Sequence, residues 1–294
     1  MSKKIILSGD IGGSHITLVR FIENDSGFKL VDLKREFIDS YAPKSVILNQ
    51  WVSIMSDLIY PKEDYLLTLA IPAPFDYVSG VCLIEKQGKF RHLFGIDLRK
   101  ELSAHLEILP SSIFFINDAE AFLLGEVEFG VGNKVNNILG LTLGSGLGSS
   151  IKCGNTVRDG GLWCSPFKSG IAEDYLSSRW FVNWINHELN IQVNGVKEIV
   201  SNPEIMEKGS SMFDLFAKNL ADFIIGRQEV FQADKIILGG NISKAHPFFL
   251  DKTLHYLQIQ DLNIPIEVSQ LGEKSAVYGA LSAINLHKDL REKI

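Results

Sequence analysis

Asp10-Ile11-Gly12-Gly13-Ser14 joins two runs rich in apolar and β-branched residues, Lys4 to Leu7 and His15 to Ile22. A glycine pair between two strands predicts a tight turn rather than the opening of a helix. In such a turn successive backbone amides can face an anion, glycine admits it closely, and Ser14 adds a hydroxyl. Taken alone, the stretch is also compatible with an ordinary glycine hairpin.

Working outward, Leu30 to Phe37 reads as a third strand, so the chain opens with a meander. Ala42 to Ile59 has helical spacing, with Val46, Trp51, Ile54 and Leu58 on one side. Tyr65 to Ile71 reads as a buried strand, Val81 to Ile84 as a short one, and Asp97 to Leu106 as an amphipathic helix. Ser111 to Ile116 is a strand that delivers Asn117 and Asp118 at its carboxyl end, and a helix with Ala119, Phe122, Leu123 and Val127 follows. The second half restarts this order, with strands at Asn137 to Leu143 and Leu147 to Cys153. Helices at Glu173 to Leu189 and Phe213 to Phe231 follow, then strands at Lys235 to Leu238 and Ile264 to Ser269. The last helix, Lys274 to His287, carries Ala276, Gly279, Ala280 and Ala283, which suit close packing. A chain of 294 residues exceeds the usual single core. Two α/β lobes are expected: residues 1–117, completed by the helix at 274–294, and residues 118–273.

Two further turns share the chemistry of the first. Leu143-Gly144-Ser145-Gly146-Leu147-Gly148 again lies between apolar strands, and Leu238-Gly239-Gly240-Asn241 follows a buried strand. Neither is a Walker A loop, because no Gly-Lys-Ser/Thr follows. Gly144-x-Gly146 also lacks the third glycine and opening helix of a dinucleotide fingerprint. Two glycine hairpins at matching places in two halves suit a polyphosphate. Asp118, at a strand end, is either a helix N-cap or a working carboxylate.

The net charge of −6 and the lack of a Lys/Arg block leave no electrostatic footprint for nucleic acid. The apolar run before Ser8 is too short for a signal peptide or a membrane span, so a cytoplasmic protein is expected. Cys82, Cys153 and Cys164 have neither disulfide-framework nor metal-ligand spacing.

With these residues in view, the chain resembles the ROK family of sugar kinases and repressors, within the wider actin and hexokinase-like superfamily. The resemblance runs through Asp10 to Ser14, Asn117-Asp118-Ala119-Glu120-Ala121 with Gly125-Glu126, Leu141 to Gly148, Ile237 to Ser243, and the closing helix at Ala276 to Ala280. It implies an actin-like, ribonuclease H-like two-lobed ATPase fold with a central cleft. It also implies ATP-dependent phosphorylation of a sugar, with Asp118 as general base and a homodimer as the family's usual habit. By the same resemblance Asp10, Gly12, Gly13, Ser14, Gly144, Ser145, Gly146, Gly239 and Gly240 bind the nucleotide, and Asp10 is the candidate Mg²⁺ ligand. Asn117 and Asp118 bind sugar, joined by the substituted loop at Arg158, Asp159 and Gly160.

The departures from the family pattern are specific. Gly160 to Gly170 lacks the family's Gly-Glu-x-Gly-His segment and its cysteine-rich zinc motif. A zinc site needs about four ligands, so none is expected here. Lys89-Phe90-Arg91-His92-Leu93-Phe94 stands where the family has a Pro-Asn sugar loop. About nine residues precede Asp10, so the repressors' helix-turn-helix is not expected. A non-catalytic sugar or nucleotide sensor of the same fold is the rival reading.

Overall fold

The computed structural model describes residues 4–24, 27–60, 63–85 and 89–291, with side chains to residue 284. The last residues of the expected 274–294 helix, 292–294, lie outside the described residues. The chain divides into two compact units, Met1–Glu128 with Glu273–Ile294, and Phe129–Gly272. The helix that begins at Asp118 therefore goes with the first unit.

In the first unit the apolar runs form β1 (Ile5–Ile11), β2 (His15–Asn24), β3 (Gly27–Phe37), α1 (Lys44–Ser56), β4 (Tyr65–Ile71), a small hairpin of β5 (Phe75–Asp76) and β6 (Val81–Cys82), α2 (Leu98–Leu106), β7 (Ile113–Asn117) and α3 (Asp118–Phe129). The second unit contains β8 (Asn137–Leu143), β9 (Leu147–Cys153), β10 (Thr156–Asp159), a hairpin of β11 (Pro166–Phe167) and β12 (Gly170–Ile171), α4 (Ala172–Tyr175), α5 (Ser178–Leu189), α6 (Val196–Ser201), α7 (Pro203–Lys208), α8 (Ser210–Phe231), β13 (Lys235–Gly239), α9 (Leu250–Ile259) and β14 (Ile266–Val268). Helix α10 (Ser275–Arg291) returns to the first unit.

The two main sheets share one topology. The first has the order β3-β2-β1-β4-β7 and the second β10-β9-β8-β13-β14. In each, a three-stranded antiparallel meander is extended by two parallel strands. Parallel strands are buried on both faces, and β1 follows this rule. Leu7 and Ile11 join Trp51, Leu98 and Leu102 on one face, and Ile6 joins Val19, Phe21, Val277 and Leu281 on the other. Ser8 and Thr68 on that second face donate to the Val277 and Ala280 carbonyls of α10, at 2.7 and 2.8 Å.

Helices α3 and α10 touch backbone to backbone. A Cβ on Gly125 would lie 2.0 Å from the Ser275 carbonyl oxygen, and one on Gly279 only 1.7 Å from that of Ala121. Ser275 Oγ donates to the fully buried Glu126 at 2.7 Å beside this crossing. In the second unit, α8 lays Met212, Phe216, Leu220 and Phe223 into the core at helical spacing.

The helix expected over Glu173 to Leu189 is two. Its break falls at Leu176 and Ser177, where Ser177 is extended (φ −124°, ψ 167°) and the Ser178 amide donates to the Gly144 carbonyl at 2.7 Å. Tertiary bonding to the glycine turn overrides local helical spacing. The short strand β10 and the helices α6, α7 and α9 were not expected, although α9 packs Leu250, Leu254 and Leu257 at helical spacing against the core.

Candidate functional site

In the first unit, register brings the charges together. Asp10 lies opposite Thr17, and Thr17 opposite Arg35, so all three share the α10 face of the sheet. Arg35 forms an ion pair with Glu273, just ahead of α10. Burial pushes the Asp10 carboxyl up to about 7; the Asp118 carboxylate adds to the rise, Arg35 opposes it and Glu273 raises it slightly further. Asp10 and Asp118 are thus brought into one electrostatic environment by β1 and β7, whose ends both border β4.

The cap question is answered by Asn117. Its Oδ1 accepts from the amides of Ala119 at 2.9 Å and Glu120 at 3.0 Å, the work of an N-cap. Its Nδ2 donates to the Tyr77 hydroxyl at 3.1 Å, and that hydroxyl donates to the Ile71 carbonyl at 3.0 Å. Asn117 is 3% exposed and held on three sides. Asp118 is the first residue of the helix, half-buried, with Oδ1 accepting from the Ala119 amide at 2.8 Å. The helix therefore does not depend on Asp118 for its cap.

The turn between β1 and β2 closes as a hairpin, with the Gly12 amide donating to the His15 carbonyl at 2.9 Å. Ser14 is exposed, its Oγ 3.0 Å from His15 Nδ1. Ser40 Oγ donates to the Gly13 carbonyl at 2.5 Å, while the Ser40 carbonyl accepts from the Phe90 amide at 2.7 Å.

In the second unit the other two glycine turns meet. Gly240 has φ +80°, and a Cβ there would lie 2.3 Å from the Leu143 carbonyl oxygen. This places Gly239 and Gly240 directly against the residue that precedes Gly144. The Gly144 amide donates to the Gly146 carbonyl at 3.0 Å, so Gly144 shapes the Gly144-Ser145-Gly146 turn. Gly160 backs onto the same strand, its amide donating to the Ser149 carbonyl at 2.8 Å. Arg158 is exposed on β10, and the Asp159 carboxylate accepts from the Gly161 amide at 2.9 Å, which orders its own turn.

Glu173, expected only as the start of a helix, has a role at the second glycine turn. Its Oε2 accepts from the Leu147 amide at 3.0 Å, and a Cβ on Gly146 would lie 2.5 Å from the same oxygen. A carboxylate therefore braces the second glycine turn; its signal was the Glu173 to Ser177 stretch, which resembles the family's Leu-Glu-x-x-x-Ser helix without indicating this contact. Tyr77 and Ser40 carried no signal of their own, because their roles come from partners distant in sequence.

Among the described residues no group of three or more His, Cys, Asp or Glu side chains could hold a metal ion by itself. Where the family's zinc loop falls, the β11–β12 hairpin is instead pinned through Lys168, 3.2 Å from Asp222 and 2.5 Å from Asn219 on α8. Magnesium makes a different demand, one or two carboxylates with water and phosphate oxygens completing the shell. Asp10, whose ionisation is disfavoured by burial and by Asp118, fits that description, because a cation relieves both.

The ROK family model matches residues 7–166 and 155–286, nearly the whole chain. The chain belongs to the ROK family. A glucokinase of Thermotoga maritima is 22% identical, over 97% of this chain and 98% of its own. A xylose repressor of Caldicellulosiruptor bescii is 23% identical, over 76% of this chain and 63% of its own. The ROK family glucokinase of Streptomyces griseus, solved in complex with glucose and AMPPNP, superposes with a TM-score of 0.73 at 18% identity, covering 95% of this chain and 98% of that one. This likeness establishes the actin-like α/β kinase fold. ROK relatives include both kinases and repressors.

Proposed function

We propose that this ROK protein is an ATP-dependent sugar kinase that transfers the γ-phosphoryl group to a hexose hydroxyl, the exocyclic 6-hydroxyl being the least hindered. The observation that carries the reading is the division of labour at the strand end. Asn117 caps α3, and the next carboxylate, Asp118 at the first helical position, shares an electrostatic environment with Asp10. Asp118 takes the hydroxyl proton as the sugar oxygen attacks the γ-phosphorus, and ADP leaves in line with the new bond. Gly12, Gly13, Ser14, Gly144, Ser145 and Gly146 are assigned to phosphate oxygens through amides and hydroxyls, and Gly239 and Gly240 to the nucleoside. Asp10 would hold Mg²⁺, which supplies charge neutralisation on the phosphates when bound.

Sugar contacts are assigned to Asn117, Asp118 and the loop at Arg158, Asp159 and Gly160. With Asn117 Oδ1 and one Nδ2 hydrogen engaged, its remaining Nδ2 hydrogen is the group offered to a sugar hydroxyl. Glucose in the Streptomyces griseus complex supports a hexose as the first substrate to try. The test is coupled ADP release over hexoses and N-acetylhexosamines. Turnover of at least one sugar, abolished in Asp118→Asn, supports the reading. Sugar or ATP binding without turnover of any sugar would replace it with a non-catalytic sensor.

A further inference from the structure

The first glycine turn is covered by a cation. A Cβ built on Gly13 would lie 2.5 Å from Lys89 Cδ, 2.7 Å from Cε and 2.8 Å from Nζ. The absent side chain of Gly13 is therefore the space through which the lysine stem passes, and its ammonium sits at the turn itself.

This placement is anchored from behind. Phe90, next in sequence, is 1% exposed and packs edge-on against Trp51, with ring centroids 5.5 Å apart. It holds a left-handed backbone (φ +56°), which a bulky side chain adopts only when its surroundings enforce it. Ser40 joins the two segments directly, donating to the Gly13 carbonyl and accepting from the Phe90 amide. The position of Lys89 over the turn is thus tied to the turn's own backbone.

Electrostatics supply the reason for a cation here. Asp118 makes the potential at Asp10 more negative, and the charges of the Arg35–Glu273 pair largely cancel each other. A polyphosphate entering that field is repelled unless positive charge accompanies it. Lysine serves phosphate as a compact point charge.

We propose that Lys89 is a nucleotide-binding residue of this chain, its ammonium pairing with the terminal phosphates of a nucleoside triphosphate at the Gly12-Gly13-Ser14 turn and favouring triphosphate over diphosphate. The inference rests on the kinase reading above and adds a residue and a selectivity to it.

The experiment measures dissociation constants for Mg·ATP and Mg·ADP by calorimetry on the full chain, for the wild type, Lys89→Met, Lys89→Arg, Gly13→Ala and the double variant Lys89→Met with Gly13→Ala. Methionine keeps the stem on Gly13 and leaves the Phe90 anchor intact. The expected result is ATP affinity about 10-fold weaker in Lys89→Met, ADP affinity changed less than about 3-fold, and most of the ATP affinity retained in Lys89→Arg. Gly13→Ala, which displaces the lysine, should weaken ATP similarly, and the double variant should lose less than the sum of the two. ATP affinity unchanged in Lys89→Met, equal losses for ATP and ADP, or additive losses in the double variant would overturn the proposal while leaving the kinase reading standing. A wild-type protein that binds neither nucleotide would overturn both.

Discussion

Replacing Asp118 by Asn removes a charge while keeping the shape of the side chain. The two bonds from Asn117 to the Ala119 and Glu120 amides are untouched, so the cap's contribution of about 1 kcal/mol stays in place. The 2.8 Å bond to the Ala119 amide can be kept by the carboxamide oxygen of the substituted side chain. What is lost is a favourable charge at a helix N-terminus, about 0.3–1 kcal/mol. Relief of repulsion with Asp10 offsets part of it. Stability should therefore change by less than about 1 kcal/mol. A general base contributes about 10² to 10⁴ in rate, or about 3–5 kcal/mol of barrier. Urea unfolding and coupled ADP release on the same preparation separate these effects. The expected outcome is an unchanged midpoint with kcat lower by at least about 10². A variant that turns over within about threefold of the wild type would refute the assignment of Asp118 as base.

Gly279→Ala should destabilise the first unit by about 1–3 kcal/mol even though alanine favours helix by about 1 kcal/mol. The new methyl would sit 1.7 Å from a backbone oxygen, half the ordinary 3.4 Å, and backbone cannot yield as a flexible side chain does. An unfolding midpoint at or above wild type would remove the crossing from the account. Asp10→Asn should alter the pH dependence of stability in metal-free buffer. A carboxyl raised from 3.8 to about 7 keeps its proton in the fold while the unfolded chain has lost it. Its contribution is thus full below about pH 4 and is lost as pH rises through about 7, with a slope of up to about 1.4 kcal/mol per pH unit. The variant should match wild type near pH 4 and exceed it at pH 8; parallel curves would show that Asp10 is not so perturbed. Chelation should leave the thermal midpoint unchanged and elemental analysis should find no stoichiometric zinc, because Lys168 rather than cysteine ligation pins the β11–β12 hairpin; one zinc per chain would contradict this.

The architecture was legible because the first half announces its meander with apolar runs and a glycine turn, the second half repeats two of those strands around Gly144-Ser145-Gly146, and Asn117-Asp118 falls at a strand end. Partnership was not legible. That Asn117 rather than Asp118 caps α3 depends on where the helix begins to within one residue, which neighbouring residues of similar chemistry cannot reveal. Glu173 reads as one more helical carboxylate until the fold sets it under Leu147. Lys89 was visible only as part of a substituted loop. Its contact with Gly13 depends on a latch through Ser40, which spans 27 residues to one side. The break at Ser177 was hidden because a helix pattern continues through it and the competing bond comes from Gly144.

Helix α10 also bears on how the protein is made. Ser8 bonds a carbonyl 269 residues away, and among the described residues Ile6, Val19, Phe21 and Phe114 cluster with Val277, Leu281 and Ile284 of the helix. The second unit, by contrast, is continuous from Phe129 to Gly272. On a ribosome the order of completion is therefore reversed relative to the order of synthesis. The unit begun first must wait with one sheet face bare until the later unit has emerged in full. Such long-range closure is slow and leaves nascent chains vulnerable to aggregation. The Gly125–Gly279 crossing is what ends that interval, and with it Asp118 is fixed at the head of a docked helix.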